Sequence, residues 1–286
     1  VAGLLAAIGF LGTGQVAFAA ALTSTNVAPA TLVAGASGTA TITFTTTTTI
    51  PVGGKIKVTF GANFNVAGAA GGTCSTMDGT FVTTVASQVV TLTRQGDGTG
   101  QTGAAESCTI GTIVNPAFSG STGTYTIQTT DAADAELDVD AAVSADTITV
   151  GALSSTNVAP ATLVAGATGT ATVTFTTVNP IPANGVISVT FGSGFDVSAA
   201  ASGTCSTQDG TFVTAVAGQV VSLTRSTGTS EPAGAQSCTI GSIRNPQVSG
   251  TTGTYTIATF LTGGTTGIDI DAAVAADTIT VGALST

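Results

Sequence analysis

The stretch LTSTNVAPATLVAGASGTATITFTT, beginning at Leu22, returns as LSSTNVAPATLVAGATGTATVTFTT from Leu153, an offset of 131 residues. The correspondence runs on. GTCSTMDGTFVT from Gly72 answers GTCSTQDGTFVT from Gly203, and DVDAAVSADTITVGALSS from Asp138 answers DIDAAVAADTITVGALST from Asp269. Self-similarity at a fixed long offset means one folding unit used twice. The chain therefore divides into an N-terminal segment, 1–21, and two copies of one domain, 22–152 and 153–286. VGALSSTNV runs from one copy straight into the next with no flexible linker, which predicts a short, stiff tandem array.

Each copy reads as strands. In TATITF the apolar Ala40, Ile42 and Phe44 alternate with threonines, and in KIKVTF Ile56, Val58 and Phe60 alternate with Lys55, Lys57 and Thr59. Ile187, Val189 and Phe191 repeat the pattern in the second copy, while VVTLTR, GTYTIQT and DTITV add further half-buried strands. Asp78-Gly79 and Asp209-Gly210 predict hairpin turns. The run Thr43–Pro51 predicts a strand with a threonine-covered outer face. Seven to nine short strands in about 130 residues, with no amphipathic helix, predict a mainly β chain of two immunoglobulin-like β-sandwiches.

Cysteines sit two to a copy, and the duplication itself pairs Cys74 with Cys108 and Cys205 with Cys238. A disulfide inside each domain implies export to an oxidising compartment. Of the 286 residues only 7% are charged, and 15 acids against 5 bases leave a net charge of −10. Lys55, Lys57, Arg94, Arg225 and Arg244 cannot assemble a basic patch, so nucleic acid is excluded as a partner.

The chain has no histidine, which removes the Ser-His and Cys-His nucleophile systems. It also lacks a GxSxG elbow, a phosphate-cradling glycine loop and a CxxC metal spacing. No enzyme and no cofactor are expected. The one acidic cluster is DAADAELDVD. If extended, it would line Asp134, Glu136, Asp138 and Asp140 along one face, where a Ca²⁺ could relieve their repulsion. The plainer expectation is a solvated acidic edge that discourages edge-to-edge pairing. Tyr125 and Tyr255 lie in strands with their rings inward, so no aromatic cluster marks a sugar site.

The N-terminal twenty residues, VAGLLAAIGFLGTGQVAFAA, carry no charge. Their apolar core and AFA-A ending match a secretory signal, one reading of the segment. A second is an assembly helix of about 30 Å, resting in a bilayer only before export and afterwards buried against copies of itself. In this the segment resembles type IV pilins and archaeal pilins or archaellins, whose retained apolar helix precedes a globular domain. That resemblance implies Leu4, Leu5, Ile8, Phe10, Leu11, Val16 and Phe18 as assembly residues. A third reading is a donated strand, because Phe10, Val16 and Phe18 also fall on a period of two. Here the likeness is to chaperone-usher pilins and to strand-exchanged archaeal threads and bundling pili. Segments such as IPANGVISVTFGSGF further resemble the β-sandwich modules of prokaryotic surface-layer and adhesin proteins.

Together these readings predict an extracellular structural protein. The leading expectation is a pilus-like filament subunit, a homopolymer through residues 1–21 that serves adhesion or surface attachment. The alternative is a monomeric or surface-layer-anchored adhesin that contacts surface glycan or a cell-surface partner.

Overall fold

The computed structural model describes residues 19–99 and 104–283. It is all β, with no helix among the described residues. In the first repeat a six-stranded sheet runs in the order Ala20–Ala21, Glu136–Val143, Tyr125–Thr130, Lys55–Thr59, Val89–Arg94, Phe81–Ala86. Against it lies a four-stranded sheet in the order Thr23–Pro29, Ser37–Thr45, Ala105–Val114, Ala70–Cys74. The second repeat has the same strand order in sheets beginning at Gly151–Ala152 and Ser154–Pro160. Strands within these sheets are antiparallel, except that Ala20–Ala21 and Gly151–Ala152 enter parallel to Glu136–Val143 and Gly267–Val274.

Alternation decides which face each strand buries. Ile42 and Phe44 point inward from one sheet, Ile56, Val58, Leu92 and Ile127 from the other, and all are at most 1% exposed. Each such side chain contributes about 1.5–3 kcal/mol by leaving water. The two repeats have separate cores, each drawing only on its own strands. Phe60, Phe64 and Tyr125 pack edge to face at one end of the first core, with centroids 5.4 Å apart for the phenylalanines, and Phe191, Phe195 and Tyr255 reproduce the trio. Both tyrosines are fully buried and donate to Asp146 and Asp277 at 2.8 Å. Burial, first of all, pushes both phenols far above their ordinary value.

Three local expectations come out differently. Asp78-Gly79 does not close a hairpin but carries the chain from Cys74 in the four-stranded sheet to Phe81 in the six-stranded one. The cause is the buried guanidinium of Arg94, whose Nε donates to the Asp78 carbonyl at 3.1 Å and whose Nη2 pairs with the Asp78 carboxylate. Asp209 and Arg225 repeat the arrangement. The threonine run leaves its strand at Thr45, because Thr47 and Thr48 turn to a buried carboxylate. Finally Ala20 and Ala21, grouped by sequence with the N-terminal segment, are paired into the first sandwich.

Candidate functional site at the junction of the two sandwiches

No linker separates the two repeats. Thr147–Ile148 closes the first, and Gly151–Ala152 is already a strand of the second. The first repeat meets the second with the end built from residues 31–36 and 117–119. This lower end is tied down from three sides. Asn115 donates its Nδ2 to the carbonyls of Thr31 and Val33 at 2.7 and 3.0 Å. Gly35 N donates to Pro116 O at 2.9 Å, and Thr149 N donates to Leu32 O at 2.7 Å.

The second repeat presents the loop at Val178 and Asn179 and the start of Gly267–Val274. Asn179 Nδ2 crosses to the carbonyl of Ala34 at 3.2 Å. In the other direction, Ser119 donates its N and its Oγ to Gly267 O at 2.8 and 3.0 Å. Two glycines let the ends approach. A Cβ on Gly35, whose φ is +68°, would stand 1.8 Å from Asn179 Oδ1, and one on Gly267 would stand 2.5 Å from Val150 Cγ1. A cleft of about 350 Å³ remains at the seam, lined by Val33, Ala34, Gly35, Ala36, Ala152 and Val178.

Asn179 is aimed by Asp269, which is wholly buried and accepts from Val178 N and Asn179 N at 3.0 Å and from Asn179 Nδ2 at 2.7 Å. Asp138 does the same work in the first repeat, accepting from the amides and hydroxyls of Thr47 and Thr48 between 2.7 and 3.0 Å. A carboxyl group buried away from water is stable only when its oxygens are met by donors in this way.

The acidic run is thereby taken apart. Asp134 sits in a turn at φ +69° and is held by Lys55 and Lys57 at 2.6 and 2.8 Å. Glu136 takes the Gln128 amide, Asp138 the threonine loop and Asp140 the Thr25 hydroxyl. The four carboxylates do not converge, and among the described residues no group of three or more His, Cys, Asp or Glu side chains is placed to hold a metal. The two lysines hold the Asp134 carboxyl below its ordinary value, at about 2. In the second repeat the same outer sheet face carries Val186, Ser188, Ala258, Phe260 and Ile270 around an uncharged trough of about 380 Å³.

Both disulfides are formed, Cys74 to Cys108 and Cys205 to Cys238. Each joins residues directly opposite on neighbouring strands of one sheet, pinning the edge strand Ala70–Cys74 or Ala201–Cys205 to the centre. They therefore do not bridge the sandwich as the antibody-domain disulfide does. Leu4, Leu5, Ile8, Phe10, Leu11, Val16 and Phe18, expected from the sequence as assembly residues, lie outside the described residues.

The chain matches no protein-family model and no curated protein sequence. Among solved structures it is similar to the C-terminal domain of the Streptococcus pyogenes antigen I/II-family protein AspA, with a TM-score of 0.32 and 8% identity over 92% of this chain and 99% of that one. It is also similar to the N-terminal domain of the Streptococcus gordonii adhesin Sgo0707, with a TM-score of 0.32 and 12% identity over 85% of this chain and 60% of that one. A third similarity is to the serine-rich repeat adhesion glycoprotein Srr1 of Streptococcus agalactiae, with a TM-score of 0.28 and 10% identity over 89% of this chain and 97% of that one. No residue is carried across from these similarities.

Proposed function

We propose that the chain is a rigid extracellular module of a cell-surface adhesive protein, with a structural rather than a chemical task. The junction carries this reading. Two sandwiches with separate cores are joined without slack, by crossed hydrogen bonds from Asn179 and Ser119 and by glycines that bring the ends into contact. Independent domains with a mobile hinge are the ordinary expectation for tandem units, and a stiff seam serves to hold something at a fixed distance from a surface. The two disulfides fit a life in an oxidising compartment. Small-angle scattering on the purified chain tests the reading. A single elongated shape, unchanged by salt, supports it, and the signature of two beads on a flexible hinge overturns it.

A second reading is favoured by one observation. Ala20–Ala21 enters the first sandwich by the same parallel pairing with which Gly151–Ala152 enters the second. Residues 19–21 thus enter the first repeat along the path that residues 150–152 take into the second. Polymerisation through residues 1–21 into a pilus-like filament uses this path. Negative-stain microscopy of the intact chain and of a variant lacking residues 1–18 tests it. Filaments from the intact chain alone support polymerisation, and monomers from both overturn it.

A further inference from the structure

The outermost strand of a sheet leaves half of its amides and carbonyls unpaired, and proteins blunt such edges with prolines, bulges, charges or brevity. In the second repeat, three of the four edges of the two large sheets are blunted in this way. Gly151–Ala152 has only two residues. Ser154–Pro160 ends on a proline and carries a bulge at Ser155, whose φ is +50°. Ala201–Cys205 is broken by a bulge at Ser202, φ +54°, and its end is fixed by the disulfide to Cys238. Phe212–Ala217 has none of these devices. It pairs with Val220–Arg225 in an unbroken register over six positions, and FVTAVA contains no charge and no proline.

The bonds of its neighbours fix which way its main chain points. Arg225 N donates to Gly185 O and Phe191 N to Gln219 O, so Gln219, Val221, Leu223 and Arg225 turn their main chain toward Val186–Thr190. Val220, Ser222 and Thr224 therefore turn theirs toward Ala217, Ala215 and Val213. Phe212, Thr214 and Val216 are left with amides and carbonyls directed out of the sheet, and among the described residues no main-chain group takes them. The adjoining strand of the other sheet does not cover this row. Its Gly203 is buried on the inner face and donates to Thr214 Oγ1 at 2.8 Å, engaging the side chain and not the main chain. On the outer face Val213 stands 57% exposed.

We propose that this edge pairs with the same edge of a second copy of the chain, antiparallel and about a two-fold axis through Thr214. The strand is its own complement. Thr214 lies opposite Thr214 and Phe212 opposite Val216, and each outward donor meets an acceptor. Val213 and Ala215 face one another on the outer side, and the two six-stranded sheets become one. Charge selects this edge in a chain of net charge −10. The acids of the same sheet, Asp269 and Asp271, lie four strands away in Gly267–Val274. That is about 19 Å at ordinary strand spacing, well beyond the screening length of about 8 Å. Asp209, at the entry to the edge strand, is paired with the Arg225 guanidinium. The matching strand of the first repeat, Phe81–Ala86, is less suited. Thr80 N is held there by the exposed carboxylate of Asp97, where Thr211 N is held by the Thr227 hydroxyl, so a partner strand would end beside a charge. A single strand edge buries little area, so the dimer forms and dissociates with concentration.

The test is sedimentation velocity on the full chain across a wide concentration range, with variants at exposed positions and thermal melting to confirm that each is folded. Val213→Lys puts like charges at diagonal positions of the joint and should weaken dimerisation about tenfold or more. Val82→Lys, the same change in the first repeat, should leave it unchanged. Chains carrying Val213→Cys and chains carrying Ala215→Cys, mixed and mildly oxidised, should give disulfide-linked dimers whose 213–215 linkage peptide mapping identifies. Either variant alone should give far fewer, since its cysteines then stand diagonally. A chain that is monomeric at every concentration overturns the proposal. So does association that Val213→Lys leaves unchanged or that Val82→Lys weakens equally, and so do cross-links as frequent in one variant alone as in the mixture. Each of these results leaves the rigid-module reading standing, because the shape of the monomer at low concentration decides that separately.

Discussion

Asn179 reaches out of the second sandwich and donates its Nδ2 to the Ala34 carbonyl of the first at 3.2 Å, while the neighbouring Gly35 leaves room for its Oδ1. Gly35 and Gly166 are the same residue of the repeat with nearly the same backbone, φ +68° and +71°. A Cβ at Gly35 overlaps Asn179 Oδ1, whereas one at Gly166 meets nothing nearer than Arg244 Nη2 at 4.0 Å. Gly166→Ala should therefore cost about 1–2 kcal/mol of backbone strain alone. Gly35→Ala should cost the same strain and also open the junction, read as greater flexibility in small-angle scattering. Equal scattering from the two variants would show that the seam does not depend on this contact.

Asp138 and Asp269 should be among the costliest residues to replace. Alanine at either leaves two amides without their acceptor, one of them on a half-buried or buried residue, Thr48 or Asn179, at about 1–3 kcal/mol for a buried group left unpaired. Chemical denaturation of Asp138→Ala and Asp269→Ala should show a loss of about 2–4 kcal/mol in the affected repeat. Only Asp269→Ala should also loosen the junction, because only Asp269 aims a residue across it.

Acid should act on the first repeat through Asp134. Its carboxyl, ordinarily near 3.8, is lowered to about 2 by hydrogen bonds from Lys55 and then Lys57. A depressed folded value means that the stabilisation is complete above about pH 4 and is lost as pH falls through 2. An NMR titration of the Asp134 carboxyl should therefore find its midpoint close to 2. In Asp134→Asn the first repeat should lose this part of its acid sensitivity, whereas the second, which has neither lysine nor its own Asp134, should be unchanged.

The cross-strand disulfides close loops of 34 and 33 residues. In the chain-entropy account each stabilises its repeat by about 3–4 kcal/mol. Cys74→Ser with Cys108→Ser should lower the melting temperature of the first repeat. Hydrogen exchange should show the loss first in Ala70–Cys74, the edge strand that the bond pins. Uniform loss of protection across both sheets would contradict that local role.

Much of this was legible in the residues alone. The repeat at 131 residues and the period-two runs around Ile42, Ile56 and Ile187 determine two strand-built units, because burial of alternate apolar side chains has one geometric solution in an extended chain. The cysteines, one pair per copy, determine their own pairing once the copies are equivalent. A signal for the junction was present too, in the places where the copies disagree: Thr47-Thr48 against Val178-Asn179, and Glu136 against Gly267. What only the tertiary structure decided is why those places matter. Asp138 and Asp140 are two positions apart in one strand, yet one is sealed behind the threonine loop and the other is left to Thr25. Asp78-Gly79 reads as a hairpin until Arg94, sixteen residues on, draws it across to the other sheet. Local pattern sets which way a side chain points. Which groups then meet, across 145 residues for Asn179 and Ala34, depends on how two finished sandwiches abut, and no spacing along the chain records it.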